Sequence, residues 1–258
     1  SDGETDYYGT FNEAMDALNN ENSGVTDVTI VGDVTVSENV EIPDGASLNV
    51  SEGGNLTITP GAELTNNGSI SNQGTITNNG SITNQNEIEN AGTVGGNGTI
   101  NNQNGNIDTV VDGVIENEVD NGEGAGNINS EASWTEDGKV YYGSLNAALK
   151  KAQNPSVVTI YGDVELAEDA IVKEGVELVV GEDASLTVKE GVTFTNNGEI
   201  TNAGELVNKG SIAGTGNIIN SGSIDNTDGE VHNEITNDGG SMTCPVSWTT
   251  DAGTGNEK

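Results

Sequence analysis

The sequence predicts an all-β fold: a parallel β-helix in two tandem repeats, each opened by a short capping helix. Two observations carry this. Aliphatic residues recur every sixth position through stretches that otherwise resemble polar linker, as in ELTNNGSISNQGTITNNGSITNQ (63–85), where Leu64, Ile70, Ile76 and Ile82 keep step. The whole pattern also occurs twice. DYYGTFNEAMDAL (6–18) answers VYYGSLNAALKKA (140–152), VTIVGDV (28–34) answers VTIYGDV (158–164), and LTNNGSISNQG (64–74) answers FTNNGEITNAG (194–204). SWT recurs at 133–135 and 247–249. The repeats are therefore 1–132 and 133–246, and Ser247, Trp248 and Thr249 begin a third at 247–258. Both ends read as cuts through a longer repeating protein.

Each repeat opens on a helix, expected over about 10–19 and about 144–153. Phe11, Ala14, Met15 and Leu18 fall at helical spacing, and Thr10 with Glu13 spells a capping box. Leu145, Ala148, Leu149 and Ala152 repeat the stripe. Such a helix is expected to cover the open end of its coil stack, since an exposed terminal coil is a sticky edge. The aromatics gather at the same junction, as Tyr7, Tyr8, Trp134, Tyr141, Tyr142 and Trp248.

The hexad coils follow, over about 27–128 and about 157–240. The first ladder is Ile30, Val36, Ile42, Leu48, Leu56, Leu64, Ile70, Ile76, Ile82, Ile88, Val94 and Ile100. The second is Ile160, Leu166, Val172, Leu178, Leu186, Phe194, Ile200, Leu206, Ile212, Ile218 and Ile224. Both step by six, six, six, eight, eight and then sixes, and the first carries one more hexad. A period of six fits neither a helix nor plain strand alternation; it fits a short strand plus a turn. In GSITNN the Ile is expected inward, Ser and Thr outward, and Asn with Gly at the corner, where both tolerate positive φ. Stacked Asn side chains would form axial ladders. Three walls make coils of about 18 residues, and the eight-residue steps widen corners. Right-handed winding is favoured, with left-handed as the alternative. An antiparallel meander from Asn-Gly hairpins is disfavoured, because four-residue strands with one inward residue could not hold a sheet.

Composition narrows the function. Hydrophobic residues make up 32% of the 258, and the net charge is -35. That balance leans toward disorder, but strict periodicity overrides it. All seven basic residues are lysines, the first being Lys139. Such a chain is a poor partner for nucleic acid and is not expected to insert into a membrane. A polycation, a divalent metal or a neutral glycan remains electrostatically permitted, and a host or environmental glycan or matrix protein is the expected partner. Cys244 is the single cysteine, so no intrachain disulfide can form.

YYGSLNAALKKAQNPSVVTIYGDVELAEDAIVKEGVELVV resembles a repeat of bacterial, mostly Gram-positive, cell-surface proteins: an aromatic, then [ST]-L-x-x-A, a short loop, V-T-I-x-x-D-V and pectin-lyase-like β-helix. The resemblance covers nearly all of both repeats. It implies an extracellular, secreted or wall-anchored protein whose modules act as stalk or adhesin surface. The family's leucine- and aspartate-rich stretch after IxxDV is replaced here by ordinary hexads.

Lyases of the pectate class generally combine an arginine or lysine base with calcium-binding aspartates. The first repeat has neither basic residue. Paired carboxylates could serve glycoside hydrolysis, and the acids at equivalent positions are Asp33/Asp163, Glu38/Glu168, Asp44/Glu174 and Glu52/Glu182. All fall at expected turns, where a solvated acid is ordinary. Asp225-Asn226-Thr227-Asp228-Gly229 lacks calcium-loop spacing, and Gly95-Gly96-Asn97-Gly98-Thr99-Ile100 has Ile where a ligand Asp would stand. His232 and Cys244, opposite Glu116 and near Ser130 in the first repeat, read as incidental. Thr57-Ile58-Thr59 and Thr75-Ile76-Thr77, 18 apart, would stack as an ice-binding face, but Thr93-Val94-Gly95 breaks the series. The expectation is a non-catalytic scaffold without catalytic residues, metal site or cofactor beyond weak, non-specific divalent cation binding. Its binding residues stay unknown. A glycan- or host-protein-binding module with an outward Ser/Thr/Asn face is the alternative, and a polysaccharide lyase or hydrolase comes third. The chain is expected to be a monomeric fragment of a larger repeat protein.

Overall fold

A computed structural model describes residues 8–110, 113–121 and 126–245. Tyr7, Trp248 and the third repeat at 247–258 lie outside the described residues. The fold is an all-β parallel solenoid with two short helices, α1 (Phe11–Leu18) and α2 (Leu145–Lys151). Contact density divides the chain after Tyr161 into 1–161 and 162–258. The first unit's coils run around three walls. One wall stacks Asp27–Ile30, Ser47–Val50, Ser69–Asn72, Glu87–Asn90, Asn106–Thr109 and Asn127–Asn129 in parallel. In the second unit, Asp163–Leu166, Ser185–Val188, Glu205–Asn208, Ser223–Asp225 and Ser241–Thr243 form one of the walls. Ser69 pairs with Glu87, a hexad coil of 18 residues, whereas Ser47 pairs with Ser69 across the eight-residue steps, which add the extra residues at the corners.

Every member of both sequence ladders is buried. They do not, however, form one kind of column. Each wall has two inward positions, and strands read intermediate, buried, intermediate, buried. The second is the first Asn of the hexad: Asn66, Asn72, Asn78, Asn84, Asn90 and Asn102, and Asn196, Asn202 and Asn220, are all at 0% exposure. The sequence expectation placed this Asn at the corner with one inward residue per strand, and the structure corrects it. Before the regular hexads begin an aliphatic fills this position, so Ile42 stacks on Asn66, Val50 on Asn72 and Ile58 on Asn78. Val172 on Asn196, Val180 on Asn202 and Val188 on Asn208 repeat the switch.

The glycine that closes each hexad is also needed for a different reason than expected. Those glycines are absent from the positive-φ set. A Cβ on Gly80 would instead stand 2.2 Å from the Ala62 carbonyl oxygen, one coil away. Close axial approach demands the glycine, not backbone handedness. Positive φ belongs to the wider corners, as at Gly45 (+76°), where a side chain would meet nothing.

α1 begins with the expected capping box: the Glu13 amide donates to Thr10 Oγ1 (3.3 Å) and the Thr10 amide to Glu13 Oε2 (2.9 Å). The helix buries Met15 and Leu18 against the first coil. At the far end of the first unit the chain makes the one antiparallel element that the sequence reading omitted. Ala132–Glu136 and Lys139–Gly143 form a hairpin around Asp137 (φ +51°) and Gly138 (+78°). The hairpin's second strand pairs with Val114–Ile115, and its first pairs with Ser156–Ile160. Because hairpin and α2 pack together there, the contact division falls later than the repeat boundary at 132/133.

Candidate functional site

The interior offers the most regular polar chemistry. Asn66 Nδ2 donates to Asn84 Oδ1 (2.7 Å), Asn84 to Asn102 (2.9 Å) and Asn102 to Asn121 (3.0 Å). Each amide also reaches a backbone carbonyl, as Asn66 does with Glu87 (2.8 Å). Asn72–Asn90, Asn202–Asn220–Asn237 and Asn208–Asn226 are matching ladders. Gly96 and Gly214 interrupt the pattern. The next amide, from Asn117 or Asn233, there reaches back to the Asn78 (3.1 Å) or Asn196 (3.0 Å) carbonyl. Where a ladder begins, its first oxygen faces an aliphatic residue. The buried Oδ1 atoms of Asn66, Asn72, Asn196 and Asn202 have no partner among the described residues. These amides are sealed inside and cannot meet a macromolecular ligand, so the proposed outward Ser/Thr/Asn face loses its most regular asparagines.

The outer surface is short side chains and acids. Thr35, Thr57 and Thr77 form an outward column that ends at Gly95. Thr57 therefore stacks on Thr77 and not on Thr75, as an 18-residue step would have it, because the eight-residue step from Leu56 to Leu64 lengthens that coil to 20 residues. Thr59 lies past its strand and hydrogen-bonds the Val36 carbonyl.

All eight duplicated acids are exposed. Asp33 accepts from Asn55 Nδ2 (2.7 Å) and Asp163 from Ser185 Oγ (2.7 Å), so both bind the following coil. Glu38, Asp44 and Glu52 sit at three successive corners. In the second unit Asp163 and Glu182 meet Asp183 and Glu205 around a shallow concavity of about 650 Å³. This places like charges side by side, with serine hydroxyls and no cationic side chain lining it.

Asp225 accepts from the Thr227 hydroxyl and amide, and these bonds hold its carboxyl below the usual range, with Lys209 adding to the effect. The 225–229 stretch is thus a turn. His232 is exposed, 3.3 Å from Glu230. Cys244 is half-buried. Among the described residues no three His, Cys, Asp or Glu side chains are grouped to hold a metal, and no helix is long and apolar enough to cross a membrane.

The larger concavity is a groove of about 960 Å³ between α1 and the strand Asp27–Ile30. Apolar Phe11, Ala14, Val28, Ile30 and Val31 line it. Of the candidate acids only Asp33 lines it, and the sequence analysis did not point to the groove, although the Asp-Gly pair at 137–138, a strong hairpin signal, pointed to what fills its counterpart. Comparison with known protein families, with curated proteins and with solved structures finds no match.

Proposed function

We infer that this chain is a non-catalytic repeat module of a bacterial cell-surface protein, acting as stalk or adhesin scaffold. One observation carries the reading. The regular chemistry of the chain is turned inward, where isoleucine and asparagine columns bind coil to coil. What faces water is a mixed column of Thr, Ser, Asn and acid, bearing most of a net charge of -35. Strong like charge keeps long sheet edges from pairing indiscriminately. The cell-surface setting rests on the resemblance of the YYGSLNAALKK…VTIYGDV segment.

The test is a glycan and matrix-protein array probed with the purified chain, alongside incubation with pectins, mucins and glycosaminoglycans. A scaffold gives neither specific binding nor released reducing ends. Saturable binding to one ligand class, lost when Thr57 and Thr77 become Asp, would establish the outward face as a binding surface and displace the scaffold reading. Released unsaturated sugars would establish a lyase.

A further inference from the structure

Packing requires the glycine that closes a hexad, and where an asparagine precedes it the fold installs a reactive pair. An Asn-Gly peptide can close on itself, because no side chain screens the glycine nitrogen from the asparagine side-chain carbonyl. Four such pairs have both neighbouring coils among the described residues: Asn67-Gly68, Asn79-Gly80, Asn97-Gly98 and Asn197-Gly198. The fold treats them differently.

Ring closure needs a glycine nitrogen that is not held elsewhere and a side-chain carbonyl whose oxygen can take up charge. The Gly80 N–H donates to Asn78 Oδ1 (3.1 Å), and the Gly98 N–H donates to the Asn78 carbonyl (2.8 Å). Asn67 donates its Nδ2 to Glu41 Oε1 (2.7 Å), and no donor among the described residues reaches its Oδ1. At Asn197 both conditions are met. The Gly198 N–H has no hydrogen-bond partner among the described residues. Asn196 Oδ1, which matches the Asn78 Oδ1 that holds Gly80, is itself unpartnered. Asn197 Oδ1 accepts from the Thr215 amide (3.2 Å) and the Thr215 hydroxyl (3.4 Å), one coil on. Asn79 holds the matching corner beside the other interrupting glycine, Gly96, but its Oδ1 takes a single donor, the Asn97 amide (3.1 Å). Asn197 and Gly198 are half-buried and Thr215 is exposed, so water and hydroxide reach the corner. A Cβ on Gly198 would stand 2.1 Å from the Val176 carbonyl oxygen, so packing keeps glycine there.

We propose that Asn197-Gly198 is a self-modification site, at which the chain converts Asn197 to aspartate and isoaspartate through a cyclic imide. The Gly198 nitrogen bonds to Asn197 Cγ, the Cγ–Nδ2 bond breaks, and ammonia leaves with the Gly198 amide proton. The oxyanion that forms on Oδ1 during the attack is held by the two Thr215 donors, which already point at that oxygen. Water then opens the ring at either carbonyl. One opening leaves an ordinary aspartate at 197. The other routes the backbone through the side-chain carbon and so lengthens it. Both products add a negative charge to a chain that already carries -35. The lengthened product does not fit a corner this tight, so conversion loosens the second unit as it ages. None of this rests on the scaffold reading.

The test holds the purified chain in mildly alkaline buffer and follows each pair over time by peptide mapping with mass spectrometry. Cleavage by hydroxylamine, which traps the imide, is the second readout. One net hydrogen bond shifts a rate by about two- to tenfold, so Asn197 is expected to convert at least about fivefold faster than Asn67, Asn79 or Asn97. Unfolding in urea gives all four pairs the same flexible surroundings and should remove that ranking. Thr215→Val deletes the hydroxyl donor, keeps the amide, and should slow Asn197 at least about twofold. Thr215→Ser should restore the wild-type rate. A Thr215 that only braces the corner predicts the reverse, faster conversion in Thr215→Val. The proposal is overturned by Asn197 converting no faster than Asn79 in the folded chain, or by a ranking that survives urea. A Thr215→Val chain that converts at the wild-type rate or faster overturns it as well.

Discussion

The asparagine ladder makes a sharp energetic prediction, because its first rung differs from those below. Asn66 starts the ladder of its wall, with Ile42 above it and its Oδ1 buried without a partner. Asn84 is the middle rung, accepting from Asn66 and donating to Asn102 and to the Asn106 carbonyl. Consider valine at each position, a residue that the corresponding column of the second unit already holds at Val172, stacked on Asn196. Asn66→Val removes one orphaned oxygen and creates another, on Asn84, so the count of unsatisfied side-chain oxygens does not change. Asn84→Val leaves the Asn66 orphan in place, orphans Asn102 Oδ1 and leaves Asn66 with an unused N–H. The middle substitution thus strands two more buried groups than the first. At about 1–3 kcal/mol for each buried unsatisfied group, Asn84→Val should be about 2–6 kcal/mol more destabilising than Asn66→Val. For a chain of this size that difference is about 4–24 °C in melting temperature. Thermal unfolding followed by circular dichroism reads it directly. Equal melting temperatures for the two variants would refute the claim that the interior amides act as a hydrogen-bonded column and not as isolated fillers.

Three further outcomes follow from the geometry. Gly80→Ala pushes a methyl into the Ala62 carbonyl and should destabilise by several-fold more than Gly45→Ala, which meets open space and costs about 1 kcal/mol for its positive φ; denaturant midpoints that rank the other way would sink the close-approach account. Glu13 is held below its ordinary pKa by the Thr10 amide and hydroxyl; its contribution to α1 is therefore present above the unfolded carboxylate value and is lost as pH falls through the lower folded value. Glu13→Gln should flatten that acid dependence, measured by amide exchange of α1, and an unchanged profile would contradict it. Finally, a net charge of -35 should make the melting temperature rise with sodium chloride between 0.05 and 1 M, as screening length falls from over 10 Å to about 3 Å; a flat response would mean that self-repulsion does not limit stability.

The aliphatic ladder was legible because burial of a hydrocarbon leaves a periodic trace, and all its members are buried. The inward asparagine was not, because an amide in a hexad serves equally well at a turn or in an interior ladder. Only the strand register, which sets Asn66 over Asn84 and Asn72 over Asn90, separates the two. The same ambiguity hid the role of the hexad glycine, since a residue letter does not say whether φ or a neighbouring carbonyl excludes the side chain. Of the duplicated acids, Glu38, Asp44 and Glu52 and their counterparts fall between strands as expected, whereas Asp33 and Asp163 open strands instead of sitting in turns. The groove at α1 left no local trace at all. It becomes visible when the two helices are compared position by position, Phe11 with Leu145 and Ala14 with Ala148, and their burial differs.

The amide column also explains how a chain with 32% hydrophobic residues holds a defined interior. In the regular hexads, apart from those ending at Gly96 and Gly214, asparagine takes the second inward position beside the aliphatic, so a purely apolar core is not required. An aliphatic column tolerates slippage along the axis, because any methyl packs against any other. An amide column does not, since each Nδ2 must meet one oxygen on the next coil, 18 residues on between regular hexads, as in Asn72–Asn90 and Asn202–Asn220. Every regular hexad carries its own asparagine at the same place, so adding a whole hexad still sets amide over amide, whichever wall it joins. The extra hexad in the first repeat is the insertion this rule permits, and the rule lets such a module change length without losing register.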